Sequence, residues 1–153
     1  MQHWSLRSGF DRRTSLWGGF AVHAGVHAFY FAGDTGYCPA FAEVGSRLGP
    51  FDLAAIPVGA YAPTWLMAPQ HVTPQEAVRI HGDIRSRSIG VHCCTFSLTD
   101  EPLDEPPRLL GEAAAAAGLP PDAFTVLQHG AMLQTAGGVD RNAPRVLGAP
   151  AAA

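Results

Sequence analysis

Lysine is missing altogether: all ten basic residues of this 153-residue chain are arginine, and thirteen acidic ones leave a formal net charge of -3. There is no basic stripe of the kind a phosphate backbone demands, so nucleic acid is not an expected partner. Cysteine is scarce as well. The three thiols are odd in number, and Cys93 and Cys94 are adjacent, a spacing that disfavours an unstrained bridge. Long apolar runs are also lacking: His23 and His27 interrupt the stretch from Gly18 to Gly33, and Pro57 and Pro63 that from Leu53 to Pro69, so neither makes a membrane-spanning helix. No basic region followed by an apolar stretch and a small-residue cleavage site opens the chain. A reducing, cytoplasmic setting is therefore expected.

What is present is apolar bulk. Hydrophobic residues make up 47%, enough for one domain with a sizeable core and too little length for two ordinary ones. The stretch that organises the chain is Phe29-Tyr30-Phe31-Ala32-Gly33-Asp34-Thr35-Gly36-Tyr37, an aromatic run that stops at one carboxylate between two glycines. It reads as a buried strand delivering Asp34 into a tight turn. His3, near the start, and His92, at the end of Ile89-Gly90-Val91-His92, bring two imidazoles to join that carboxylate. Two histidines and an aspartate suit zinc, which takes nitrogen and carboxylate oxygen ligands, although three donors are few for two ions.

The rest of the pattern is α/β. Leu16 to His23 and Ala28 to Ala32 read as neighbouring strands of a hairpin, with Asp11-Arg12-Arg13 a polar loop before them. Phe41, Val44, Gly45 and Leu48 sit at helical spacing ahead of Gly49-Pro50; Phe51 to Ile56 is a buried strand stopped by Pro57, and Val58 to Pro63 is loop. Thr73-Pro74-Gln75-Glu76 is a helix start, and the helix runs to about Arg85 with Ala77, Ile80, His81 and Ile84 inward, which makes His81 a packed residue. Ser88 to His92 is the next strand, whose period-two geometry sends His92 and Cys94 to one face and Cys93 to the other. Pro106 to Ala117 reads as a helix stopped by Gly118, and Phe124 to Leu127 as a short strand. Residues 1–133 are expected to form one partial domain and 134–153, rich in Ala, Gly and Pro, a disordered tail.

Gln2-His3-Trp4, Asp11-Arg12, Leu16-Trp17-Gly18, Phe31 to Tyr37, Pro57-Val58-Gly59-Ala60-Tyr61, His71-Val72-Thr73-Pro74-Gln75-Glu76-Ala77, Glu101-Pro102 and Glu105-Pro106-Pro107 together resemble the N-acyl-phosphatidylethanolamine-hydrolysing phospholipase D group of the metallo-β-lactamase fold. The resemblance runs from Gln2 to about Gly130 and covers that group's C-terminal half. It implies half of an αββα sandwich, with His3 serving one zinc, His92 the other and Asp34 bridging them. His71 would lie beside the metals and orient or protonate a substrate oxygen, as an imidazole titrating near neutrality can. Gly59 and Tyr61 fall in a segment that would line the substrate. The reaction implied is hydrolysis of the phosphodiester of an N-acylated glycerophospholipid, with peripheral contact to a membrane. His23, His27 and His129 match no ligand position.

Departures from the group's pattern matter too. Its upstream half carries an H-x-H-x-D-H run that supplies most ligands, and no such run occurs here. Where the group has His-Trp-Gly-Thr-Phe and Pro-Arg-Trp, this chain has His92-Cys93-Cys94-Thr95-Phe96 and Pro63-Thr64-Trp65, and the Arg lost there is not replaced by Thr at a phosphate contact. A truncated or mis-started frame is the favoured explanation, ahead of a split enzyme whose other half is separate and of a non-catalytic remnant. The chain by itself is then expected to be inactive, to hold at most one zinc weakly, and to expose an apolar sheet face that calls for a complementing half or a second copy. The rival expectations are a non-catalytic remnant or binding partner, a lactonase-type metallo-hydrolase, and a redox or soft-metal role for Cys93-Cys94.

Overall fold

A computed structural model describes residues 1–4 and 17–135. The Asp11-Arg12-Arg13 loop, Leu16 and the tail beyond residue 135 lie outside the described residues. Within them, five strands form one sheet in sequence order: β1 (Phe20–Ala24), β2 (His27–Phe31), β3 (Phe51–Pro57), β4 (Ser86–Val91) and β5 (Phe124–Val126). β1 and β2 make the expected antiparallel hairpin, turning at Gly25 with φ +60°, a conformation glycine adopts without penalty. β2, β3, β4 and β5 are successively parallel.

Each parallel step needs a crossover, and the helices supply it: α1 (Ala40–Arg47), the short α2 (Thr64–Met67) with α3 (Pro74–Ile84), and α4 (Glu105–Ala116). Because strand order advances in one direction, crossovers of the usual right hand all fall on one side of the sheet. α3 accordingly packs on β3 and β4 and is flanked by α1 and α4. The core lies between these helices and the inward rows of the sheet, where Tyr30, Phe41, Ile56, Val58, Ile80, Ile84 and Leu110 are essentially fully buried.

Among the described residues, the opposite face carries no helix. Register aligns Phe20, Phe31, Ala55 and Ile89 in one row across the sheet and Val22, Phe29 and Leu53 in the next. Phe20 is 67% exposed, Val22 52% and Phe31 39%, so this face is apolar and open.

The helix signals explain themselves locally. Thr73 accepts the Glu76 N–H at 3.2 Å, and the Glu76 carboxylate accepts the Thr73 N–H at 2.9 Å, closing a capping box ahead of Pro74 at the first helical position. Ala77, Ile80, His81 and Ile84 all face inward as their spacing requires, and His81 Nδ1 lies 2.9 Å from the Ser88 hydroxyl. Gly45 lies where α1 crosses α3, its backbone so near the Asp83 carbonyl that a Cβ would collide.

Several boundaries and one pattern differ from expectation. The first strand starts at Phe20, Leu48 caps α1 as a half-exposed residue, and α2 arises within a stretch given no helix. β4 begins at Ser86 and stops at Val91, and His92 and Cys94 have φ of +59° and +65°. Two left-handed residues end the pleat, so the alternation expected to place His92 and Cys94 on one face and Cys93 on the other does not apply.

Candidate active site

Parallel strands deliver their C-terminal ends to one edge of the sheet, where α/β folds place ligands. Gly33, with φ +66°, turns the chain after β2 and leaves Asp34 half-exposed at that edge. Thr35 beside it is wholly buried and serves as a fastener: its hydroxyl accepts the Gln2 N–H at 2.8 Å and donates to the Gly36 carbonyl at 2.6 Å. Gly36 N–H in turn donates to the Gln2 carbonyl at 2.7 Å. The N-terminal segment is thereby pinned to the Asp34 turn, and His3 is held as part of the site.

Gly36 also admits the loop that carries His71. A Cβ there would collide with the Ala68 carbonyl and come within 2.9 Å of Pro69, so the absence of a side chain lets the segment after α2 lie close. His71 then sits between His3 and His92, with ring centroids 5.3 Å and 5.2 Å away. On the far side, His92 Nε2 meets Asp34 Oδ1 at 3.3 Å. Three histidines and one aspartate, from four separate segments, form one cluster.

Electrostatics assign their charge. The hydrogen bond from His92 leads the causes that hold the Asp34 carboxyl below the usual carboxylate range, and the fields of His92, His71 and His3 add to it. The same bond pushes His92 up. His71 goes the other way: burial, reinforced by the neighbouring His92, brings it down to about 4, so it is neutral at physiological pH. It is only 9% exposed, and among the described residues its Nδ1 has no hydrogen-bond partner. A buried imidazole nitrogen left this way is costly unless something else meets it.

Imidazole nitrogens, a carboxylate and an unpartnered buried nitrogen match zinc in kind. They do not match it in number: among the described residues, no group of three or more His, Cys, Asp or Glu side chains closes tightly enough to hold an ion. Asp34 and His92 are turned toward each other, which occupies part of the donor set.

Gly59 and Tyr61 lie in the loop after β3. Both are buried, and the Tyr61 hydroxyl donates to Glu105 Oε1 at 2.7 Å. A Cβ on Gly59 would collide with the His92 carbonyl, so its part here is to let two backbones approach. His81 is in the core, His27 faces Asp52 at 3.9 Å, and His129 bonds Thr95 at 3.1 Å. Cys93 and Cys94 are half-buried and share a wall of an open groove of about 700 Å³ with Val91, Val126 and His129. Burial and the neighbouring Cys94 push the Cys93 thiol up to about 12, the opposite of a reactive thiolate. Thr64 opens α2, and Trp65 beside it is 82% exposed.

Glu101 was not singled out by sequence for any role. Its carboxylate accepts the N–H groups of Ala60 and Ala62 and the Thr99 hydroxyl. The Ala60 and Ala62 N–H groups are 41 and 39 residues away along the chain, and no local pattern announces a bond of that span.

This α/β sheet, with its cluster at the strand ends, is that of a hydrolase superfamily: residues 1–93 match the beta-lactamase superfamily domain, and the chain belongs to that family. Within it, the chain falls with the N-acyl-phosphatidylethanolamine-hydrolysing phospholipase D group. It is 48% identical over 99 residues to N-acyl-phosphatidylethanolamine-hydrolyzing phospholipase D 1 of Caenorhabditis elegans, covering 63% of this chain and 28% of that protein. The mitochondrial enzyme of that name from Saccharomyces cerevisiae is 41% identical over 112 residues, 71% of this chain and 24% of its own. An uncharacterized Mycobacterium tuberculosis protein is 41% identical over 117 residues, 74% of this chain and 31% of its own. The chain thus spans between 24% and 31% of these relatives. The isothiocyanate hydrolase from Delia radicum gut bacteria shares the fold, with a TM-score of 0.59 at 19% identity over 78% of this chain and 44% of that one. No helix among the described residues is long and apolar enough to cross a membrane.

Proposed function

We propose that this chain carries the His3, Asp34, His71 and His92 portion of a zinc-dependent site that hydrolyses the phosphodiester of an N-acylated phospholipid. The observation that carries the reading is the convergence of those four side chains from four segments, in a chain whose relatives at 48% and 41% identity bear that activity in their names. His3, Asp34 and His92 are the residues that would hold metal, together with ligands that the described residues do not provide. Zinc bound there supplies Lewis-acid polarisation of a phosphoryl oxygen and of water.

The chain's own residues set the rest. Asp34 stays anionic across the physiological range and offers two oxygens; His92 donates to one of them and fixes its orientation. His71, neutral and shielded, presents a nitrogen that can accept a proton or a hydrogen bond from a substrate oxygen. Asp34 and His71 are thus the residues closest to the chemistry. Gly59 and Tyr61, in the loop after β3, are the residues assigned to line the substrate.

A second reading, a non-catalytic partner, draws on the shortfall of donors among the described residues. Isotope tracing decides between them, and between phosphoryl and acyl chemistry. The chain is supplied with zinc and with a polypeptide carrying an H-x-H-x-D-H run, then given N-acyl-phosphatidylethanolamine in labelled water. The phosphodiesterase reading expects label in the phosphatidate and none in the released N-acylethanolamine. Label in a carboxylate would mean lactone or amide opening, and no turnover over the second polypeptide alone would favour the non-catalytic partner.

A further inference from the structure

Ala60 is a residue out of place: it is buried in the loop after β3 with φ +61°, a left-handed conformation that costs an L-amino acid energy and persists only where the surroundings enforce it. The enforcement comes from Glu101. Its Oε1 accepts the Ala60 N–H at 2.6 Å, and its Oε2 accepts the Ala62 N–H at 3.0 Å and the Thr99 hydroxyl at 2.6 Å. Burial alone would raise this carboxyl, but the Thr99 hydroxyl and the backbone N–H groups bring it below its ordinary value, so the tie is made by a full negative charge. The Asp100 N–H donates back to the Ala62 carbonyl at 3.3 Å, and the Tyr61 hydroxyl binds Glu105 at 2.7 Å. One segment therefore clamps three successive residues of the loop.

The clamped loop has one other neighbour of consequence. Gly59 precedes Ala60, and its Cα faces the His92–Cys93 backbone so closely that a Cβ would collide with the His92 carbonyl and lie 3.2 Å from the Cys93 Cα. His92 and Cys94 are left-handed too. Two strained turns, one after β3 and one after β4, thus lie back to back with a glycine between them, and the first has the Glu101 carboxylate bonded to its backbone. His92 reaches Asp34 from the second turn.

We infer that Glu101 is a positioning residue for the His92–Asp34 pair: it fixes the Gly59–Ala62 loop, and that loop braces the backbone that aims His92 at Asp34. The inference gives Glu101, which no ligand or catalytic role claims, a place in the site, and it rests on the reading above only in taking Asp34 and His92 as working residues.

The test is NMR on the full 153-residue chain without added metal, comparing Glu101→Ala, Glu101→Gln and Gly59→Ala with Thr73→Ala, a control that loses the cap of α3 and leaves Glu101 and Gly59 intact. Glu101→Ala should raise amide exchange at Ala60 and Ala62 by about ten- to a hundredfold, the effect of losing hydrogen bonds to a charged acceptor, and should weaken the contacts between the His71 and His92 rings. Glu101→Gln keeps one acceptor oxygen and should fall between. Gly59→Ala should displace His92 while Glu101 stays bonded, and it carries the test if Glu101→Ala does not fold. Thr73→Ala should leave the His92 signals in place. Unchanged His71–His92 contacts in Glu101→Gln and Gly59→Ala, or an equal loss in Thr73→Ala, would overturn the inference and leave Glu101 a mere structural tie. None of these readouts depends on turnover: displaced His92 contacts in a protein that never hydrolyses a phosphodiester would defeat the proposed function and leave Glu101's role standing.

Discussion

Acidification should destabilise the fold through His71. Burial holds this imidazole at about 4 against an ordinary value of 6.5, so the unfolded chain takes up a proton in that interval while the folded chain does not. The contribution is complete above 6.5, declines as pH falls through the window, and is gone below about 4. At about 1.4 kcal/mol for each tenfold change in proton affinity, the full window amounts to about 3 kcal/mol. Water at the open edge of the site screens His71, so roughly half of that is the figure to expect. His92 has the opposite sign: its bond to Asp34 raises it, so its contribution is complete below 6.5 and lost as pH rises through the raised value. Asp34, held low, contributes above its ordinary 3.8 and fades only as pH falls through its lowered value. His71→Gln reports the effect, because the difference in urea-unfolding free energy between wild type and variant carries the His71 part together with its smaller influence on Asp34. With chelator present, that difference should shrink by about 1.5 kcal/mol between about pH 7 and about pH 4. A difference that stays constant across the window would show that His71 is solvated, and the account of a shielded neutral imidazole would be wrong.

Other consequences can be checked with simpler experiments. Thr73→Ala removes the capping box of α3 and should cost about 1 kcal/mol in urea unfolding, with no change in the His92 signals. Gly45→Ala forces a methyl against the Asp83 carbonyl and should cost about 1–3 kcal/mol or separate α1 from α3, read from the denaturation midpoint. Phe20→Glu or Val22→Glu on the open face should reduce binding of a hydrophobic dye while leaving the urea midpoint nearly unchanged, since both side chains are mostly exposed. In a complemented enzyme, Thr64→Arg should improve phosphate-bearing substrates selectively, and an equal rate on every substrate would remove the reason for giving position 64 a role.

The parts of the structure legible in the sequence were those written in local patterns. Thr73-Pro74-Gln75-Glu76 carries its whole helix start within four residues, and the spacing of Ala77, Ile80, His81 and Ile84 is a periodicity that packing had only to accept. Asp34 was legible because an aromatic strand must end somewhere, and two glycines marked the place. His71 could be tied to Asp34 only through resemblance, since its loop comes to the Asp34 turn by a close backbone approach at Gly36, across more than thirty residues. The left-handed turn at His92 and Cys94 was illegible for a related reason: no glycine advertises it, and what holds it is the apposed Gly59 loop. Glu101 left no trace beyond its place in a resemblance, because its partners are N–H groups, which every residue but proline supplies.

The central claim, that His3, Asp34 and His92 are donors awaiting the rest of a ligand set, is tested most directly by zinc content after equilibrium dialysis of the wild-type chain and of Asp34→Asn. The account predicts no more than one weakly held zinc per wild-type chain and its loss in Asp34→Asn, because an amide is a neutral and poorer donor than a carboxylate. Two tightly held zincs in the wild-type chain, or one that survives Asp34→Asn unchanged, would contradict it.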